Sequence, residues 1–93
     1  MPAFIRDANG VLSVSGVSLA DIAAQYGSPL YVYSGDGIRD DYRRFAGAVG
    51  TAGGRVHFAL KANSALGLIA LLAHEGAGAD IVSGGEMARA LAA

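Results

Sequence analysis

The chain has 93 residues, of which 53% are hydrophobic, with a mean hydropathy of +0.39; this is enough apolar side chain for a small packed domain and too much for a disordered tail. Its net charge is −1, from 7 lysines and arginines against 8 aspartates and glutamates, and no stretch gathers positive charge on one face, so no nucleic-acid partner is expected. There is no cysteine, which excludes a disulfide scaffold, an iron–sulfur site and a cysteine nucleophile within these residues and suits a reducing compartment.

The opening residues Met1-Pro2-Ala3-Phe4-Ile5-Arg6-Asp7 have no basic region leading into an apolar core, so they are not read as a signal peptide. The longest apolar stretch, residues 66–73, is interrupted by Gly67 and falls far short of the roughly 20 residues a bilayer needs, so no membrane association is expected. Phe4-Ile5 and Val11-Leu12-Ser13-Val14 flank Asn9-Gly10, a dipeptide suited to the positive φ of a tight turn, and are expected to form a hairpin. Ser18 and Asp21 have capping-box spacing ahead of a short helix that Gly27-Ser28-Pro29 stops.

Leu30-Tyr31-Val32-Tyr33 is a β-prone run, and Ser34-Gly35-Asp36-Gly37 reads as a loop and helix entry. The helix that follows, residues 38–49, aligns Ile38, Tyr42, Phe45 and Val49 in one stripe opposite Arg39, Asp40, Arg43 and Arg44. After Gly50-Thr51-Ala52-Gly53-Gly54 the chain alternates: a strand over 56–60, a helix over 65–74 ending at Gly76, a strand over 79–82, and a helix from Gly84 with no stop signal. Strand, helix, strand, helix with short connections signals an α/β fold of parallel βαβ construction. A closed barrel of eight such units needs about 250 residues, and these residues hold about two units. The one candidate boundary is the loop at 34–37.

In the strand Val56-His57-Phe58-Ala59-Leu60-Lys61, period 2 puts Val56, Phe58 and Leu60 on one face and His57, Ala59 and Lys61 on the other. In a barrel the second face points into the lumen, with Lys61 at the C-terminal mouth. A lysine leaving an apolar strand either snorkels to water or is desolvated to a neutral, nucleophilic amine that can hold a carbonyl cofactor as a Schiff base. Asp80, nineteen residues on, is placed near the beginning of the second strand; it is either a surface residue at a strand entry or a carboxylate near that lysine. Ser83-Gly84-Gly85-Glu86 reads as a capping box, Ser83 accepting from the Glu86 amide and Glu86 reaching back to the Ser83 amide, and also as a glycine-rich helix start that offers amides to an anion. Glu86 could also orient Lys61. His57 is expected in a lumen hydrogen-bond network, with orientation of Lys61 as its other candidate role, and His74 complements a helix C-terminus. No histidine and acid set has metal-ligand spacing.

Phe58-Ala59-Leu60-Lys61-Ala62-Asn63, followed by Gly76-Ala77-Gly78-Ala79-Asp80-Ile81-Val82-Ser83-Gly84-Gly85-Glu86 and preceded by Gly27-Ser28-Pro29-Leu30-Tyr31-Val32-Tyr33, closely resembles the diaminopimelate decarboxylase family. The resemblance implies a pyridoxal-phosphate enzyme of the alanine-racemase-like fold type, with a (β/α)8 barrel for the cofactor and a β-domain closing the site. Residues 1–34 would be the hairpin, short helix and strand that join the β-domain, and residues 35–93 the first, incomplete part of the barrel. Lys61 matches the Schiff-base lysine, Asp80 an acidic residue near it in related basic-amino-acid decarboxylases, and Ala59 a small residue beside the cofactor. The implied reaction takes the carboxylate from the D-centre of meso-diaminopimelate to give L-lysine, in a cytoplasmic enzyme that acts on a small amino acid as a homodimer. The rest of the family's machinery would lie beyond Ala93, so the 93-residue chain alone is expected to be inactive. Lys61 and Asp80 would equally serve a decarboxylase for ornithine, arginine or carboxynorspermidine, or a non-catalytic homologue that only binds the cofactor.

Overall fold

The computed structural model describes residues 2–93; Met1, the first residue of the N-terminal segment, lies outside the described residues. The chain divides into two compact units, Met1–Ile38 and Arg39–Ala93.

The first unit is built on a three-stranded antiparallel sheet of β1 (Phe4–Arg6), β2 (Leu12–Val14) and β3 (Val17–Ser18). The expected hairpin is present, with Phe4 opposite Val14 and Arg6 opposite Leu12. Its connection is longer than an Asn-Gly two-residue turn, because Asp7 closes a wider loop. The Asp7 carboxylate accepts from the amides of Asn9 (2.8 Å) and Val11 (2.9 Å), and only Gly10 of the pair takes positive φ. The short strand β3 was not foreseen; it pairs with β2 before Ser18 caps α1 (Leu19–Tyr26) by accepting from the Asp21 amide. α1 ends at Gly27 as expected.

Residues 30–33, expected as a strand, form none. Their β-prone side chains find no partner ladder, and a strand without one leaves its backbone groups to water. Ser34 is buried, at 7% exposure; its hydroxyl accepts from the Gly37 amide and contacts the Ser15 hydroxyl, both at 3.0 Å. That cap starts α2 (Gly35–Thr51), three residues earlier than the apolar stripe suggests. Of the stripe itself, Phe45 is 60% exposed.

The second unit holds β4 (His57–Ala59), α3 (Leu66–Glu75), β5 (Gly78–Asp80) and α4 (Gly84–Ala92). β4 and β5 are parallel, with His57 opposite Gly78, Phe58 opposite Ala79 and Ala59 opposite Asp80. Strand, helix and parallel strand therefore make the expected α/β unit. α3 closes on Gly76 in the left-handed conformation, the Gly76 amide donating to Ala73 and Leu72 and the Ala77 amide to Leu72. Leu60, Ile69 and Leu72 are the buried apolar side chains of this unit, and Leu60 is the most enclosed at 1% exposure. Packing of α3 on α4 completes it.

Candidate active site

Lys61 does not extend β4, although the alternation of the sequence predicts that it does. It is the middle residue of a 3-10 turn over Leu60–Ala62. β5 supplies only three register partners, and past Ala59 the chain turns over, the Asn63 amide donating to the Leu60 carbonyl at 3.1 Å. The shared strand face therefore covers His57 and Ala59 and stops before Lys61. Lys61 is exposed, two residues beyond Ala59, in the loop that leaves the C-terminal end of β4.

Asp80 is likewise displaced from its expected place at the beginning of the second strand, for it is the last residue of β5. It stands opposite Ala59, and paired residues of neighbouring parallel strands project to the same side of a sheet. Both Lys61 and Asp80 thus mark the C-terminal ends of adjacent parallel strands, with the small Ala59 beside the carboxylate. Both are exposed. Among the described residues no ion pair joins Lys61 to Asp80 or to Glu86.

The Ser83 hydroxyl accepts from the Glu86 amide at 3.1 Å, as a capping box requires. The reciprocal bond differs: Glu86 Oε1 accepts from the Val82 amide at 3.2 Å, one residue before the expected Ser83 amide. The carboxylate of Glu86 therefore fastens the backbone that joins β5 to α4. The ring of His57, the residue expected in a hydrogen-bond network, lies against Gly78. A β-carbon at residue 78 would lie 2.7 Å from His57 Nε2 and closer still to Cδ2, so the glycine provides the ring's clearance.

Two further hydrogen bonds shape the loop after Lys61. The Asn63 side chain accepts from the Ala65 amide at 3.0 Å; this local Asx bond ahead of α3 was legible in the Asn-x-Ala spacing. Arg89 Nε donates to the Ser64 carbonyl at 2.8 Å across 25 residues, and no local pattern announces it. At the opposite end of α3, Arg43 grips Glu75 through two bonds of 2.8 Å, with Arg39 at 3.6 Å. The Glu75 carboxyl is held below its ordinary range, first by the Arg43 hydrogen bond and, against the opposing effect of burial, by the charges of Arg43, Arg39 and His74. The same hydrogen bond raises Arg43.

Residues 36–93 match the family described as pyridoxal-dependent decarboxylase, pyridoxal binding domain. A diaminopimelate decarboxylase of Pseudomonas fluorescens is 52% identical over 84 residues, which cover 90% of this chain and 20% of the relative. That of Vibrio cholerae is 45% identical over all of this chain and 22% of its own length. A crystal structure of diaminopimelate decarboxylase from M. jannaschii in complex with L-lysine superposes with a TM-score of 0.88 at 34% identity, over 97% of this chain and 22% of that one. The chain thus spans about a fifth of the length of the curated relatives it matches. With more than half of its residues in the match, it belongs to the pyridoxal-dependent decarboxylases, in the part that forms their pyridoxal-binding domain.

Proposed function

We propose that the gene product carrying this chain removes carbon dioxide from the D-centre of meso-2,6-diaminopimelate to give L-lysine, and that Lys61 is its covalent anchor for pyridoxal phosphate. One observation carries the reading: Lys61 and Asp80 leave the C-terminal ends of adjacent parallel strands, with Ala59 in register beside Asp80. In open and closed α/β folds that end is where ligands bind. The names of the relatives, and the L-lysine in the M. jannaschii structure, support the substrate class.

The residues fit the cofactor. Attachment to an aldehyde requires an accessible amine, and Lys61 is exposed and, among the described residues, makes no ion pair. A flat aromatic ring requires a small neighbour, and Ala59 is one. When bound, pyridoxal phosphate supplies an electron sink for the bond pair left as carbon dioxide departs. Lys61 Nζ would hold the cofactor and regain its place after each turnover. The Asp80 carboxylate would orient that amine by its charge. Glu86 would act through the Val82 backbone that it fastens, and His57 through the sheet face that it shares with Ala59.

In this reading the second unit begins a (β/α)8 barrel, and exposed Phe45, Val82, Met87 and Leu91, the last at 80%, are sides on which further βα units would pack. Residues 1–34 would belong to a β-domain and residues 35–93 to the barrel of a cytoplasmic homodimer with no nucleic-acid or membrane partner. No helix among the described residues is long and apolar enough to cross a membrane.

The test is chemical. The gene product is incubated with pyridoxal phosphate, reduced with borohydride and digested; the labelled peptide should contain Lys61, and a label elsewhere refutes the assignment. Release of lysine and carbon dioxide from meso-diaminopimelate, with ornithine as the competing substrate, then decides the reaction. Lys61→Ala should abolish trapping and turnover together.

A further inference from the structure

Arg89 touches none of the groups assigned to the chemistry, yet its side chain reaches the loop that carries Lys61. Three hydrogen bonds shape that loop. The Asn63 amide closes the 3-10 turn on the Leu60 carbonyl, the Asn63 side chain accepts from the Ala65 amide at the entry to α3, and Arg89 Nε donates to the Ser64 carbonyl at 2.8 Å. Of the three, only the Arg89 bond ties the loop to another element.

Arg89 stands three residues after Glu86, on the helix whose first turn Ser83 and Glu86 close. The connection after β4, which bears Lys61, and the connection after β5, which follows Asp80, are therefore fastened to the same helix. Another long-range side-chain clasp of this unit, Arg43 on Glu75, lies at the far end of α3. Ten residues of helix separate the two clasps, about 15 Å at 1.5 Å per residue. A clasp that merely held α3 in place could act at either end; the one at Ser64 acts three residues from Lys61.

We propose that Arg89 is a positioning residue for Lys61. By holding the Ser64 carbonyl it sets where the Lys61 amine stands relative to Asp80, and so how fast that amine captures the cofactor aldehyde. Capture joins Nζ to the aldehyde carbon and expels the aldehyde oxygen as water together with two protons from the amine. The proposal rests on the reading of Lys61 as the anchor.

The experiment compares the gene product with its Arg89→Met, Arg89→Lys and Glu75→Gln variants. Each is stripped of cofactor and mixed with pyridoxal phosphate; the rate of covalent attachment is followed by absorbance, the site by borohydride labelling and the fold by thermal melting. Arg89→Met should slow attachment about tenfold or more, since a small misplacement of a reacting group costs up to roughly a hundredfold, with the label still on Lys61. Arg89→Lys, which keeps a donor of similar reach, should restore part of the rate. Glu75→Gln should lower the melting temperature and leave the rate unchanged. Attachment by Arg89→Met at the unsubstituted rate overturns the proposal, and so does equal slowing by Glu75→Gln, which would make the effect one of general stability. If Arg89→Met does not fold, an unchanged rate in Arg89→Lys at an unchanged melting temperature overturns it, and a slowed one supports it. A label away from Lys61 in the unsubstituted protein refutes the anchor reading itself, and this proposal with it.

Discussion

Replacing Leu60 with alanine should destabilise the second unit more than any surface change near the site. Leu60 is 1% exposed, and with Phe58, Ile69, Leu72 and Ala90 it lines a cavity of about 210 Å³ between the sheet and the two helices. The substitution removes three carbons, worth roughly 2.4 kcal/mol at about 0.8 kcal/mol each. If the walls do not close, about 80 Å³ of new void at about 24 cal/mol per Å³ adds roughly 2 kcal/mol. The expected loss is therefore about 2.4 to 4.4 kcal/mol, the lower figure applying if α3 settles toward the sheet. Amide hydrogen exchange in α3 and β5 reads this unit by itself. Protection should fall by about two to three powers of ten, at 1.4 kcal/mol per tenfold. Leu60→Met, which keeps the volume, should cost less than about 1.5 kcal/mol. A loss under about 1 kcal/mol for Leu60→Ala, or an equal loss for Leu60→Met, would refute the view that this side chain anchors the turn holding Lys61.

Glu75→Gln should destabilise the protein at neutral pH by a margin that closes on acidification. Because the Arg43 hydrogen bond depresses the folded-state pKa of Glu75, its contribution is fully present above the ordinary value of 4.5 and is lost as pH falls through the lower folded value. Melting curves from pH 7 to pH 3 should converge for the two proteins, and parallel curves would dismiss the clasp. The glycines at 76 and 78 should answer to different tests. Gly76→Ala meets nothing nearer than the Tyr42 hydroxyl at 3.8 Å, but its φ of 104° should cost about 1 kcal/mol in any background. Gly78→Ala should push the His57 ring from its rotamer at about 0.5 to 1.5 kcal/mol, and His57→Ala should relieve that cost in a double-mutant cycle. Independence of the two sites would contradict the packing described.

The starts of α1 and α4 and the end of α3 were legible because their causes are local. Ser18, Ser83 and Gly76 act over three to five residues through groups that the sequence places side by side, and each appears where its spacing implies. The order of βα elements was equally legible, since hydrophobic period and glycine punctuation are read along the chain. The family motifs around Lys61 and Asp80 lie in the same stretch. Ends of strands were not legible, because a strand lasts only as long as its partner. β4 stops at Ala59 and Lys61 falls into a turn; Asp80 moves from the beginning of its strand to the end; residues 30–33 find no ladder and stay irregular. Glu86 choosing Val82 over Ser83 is a difference of one residue that backbone direction decides. The bonds from Arg89 to Ser64 and from Arg43 to Glu75 span 25 and 32 residues, separations at which spacing carries no information. The sequence by itself determined the order of the elements and which side chains are candidates for a site on them. Only the tertiary structure decided where those residues stand, because strand register and long-range clasps are properties of paired segments and of neither segment alone.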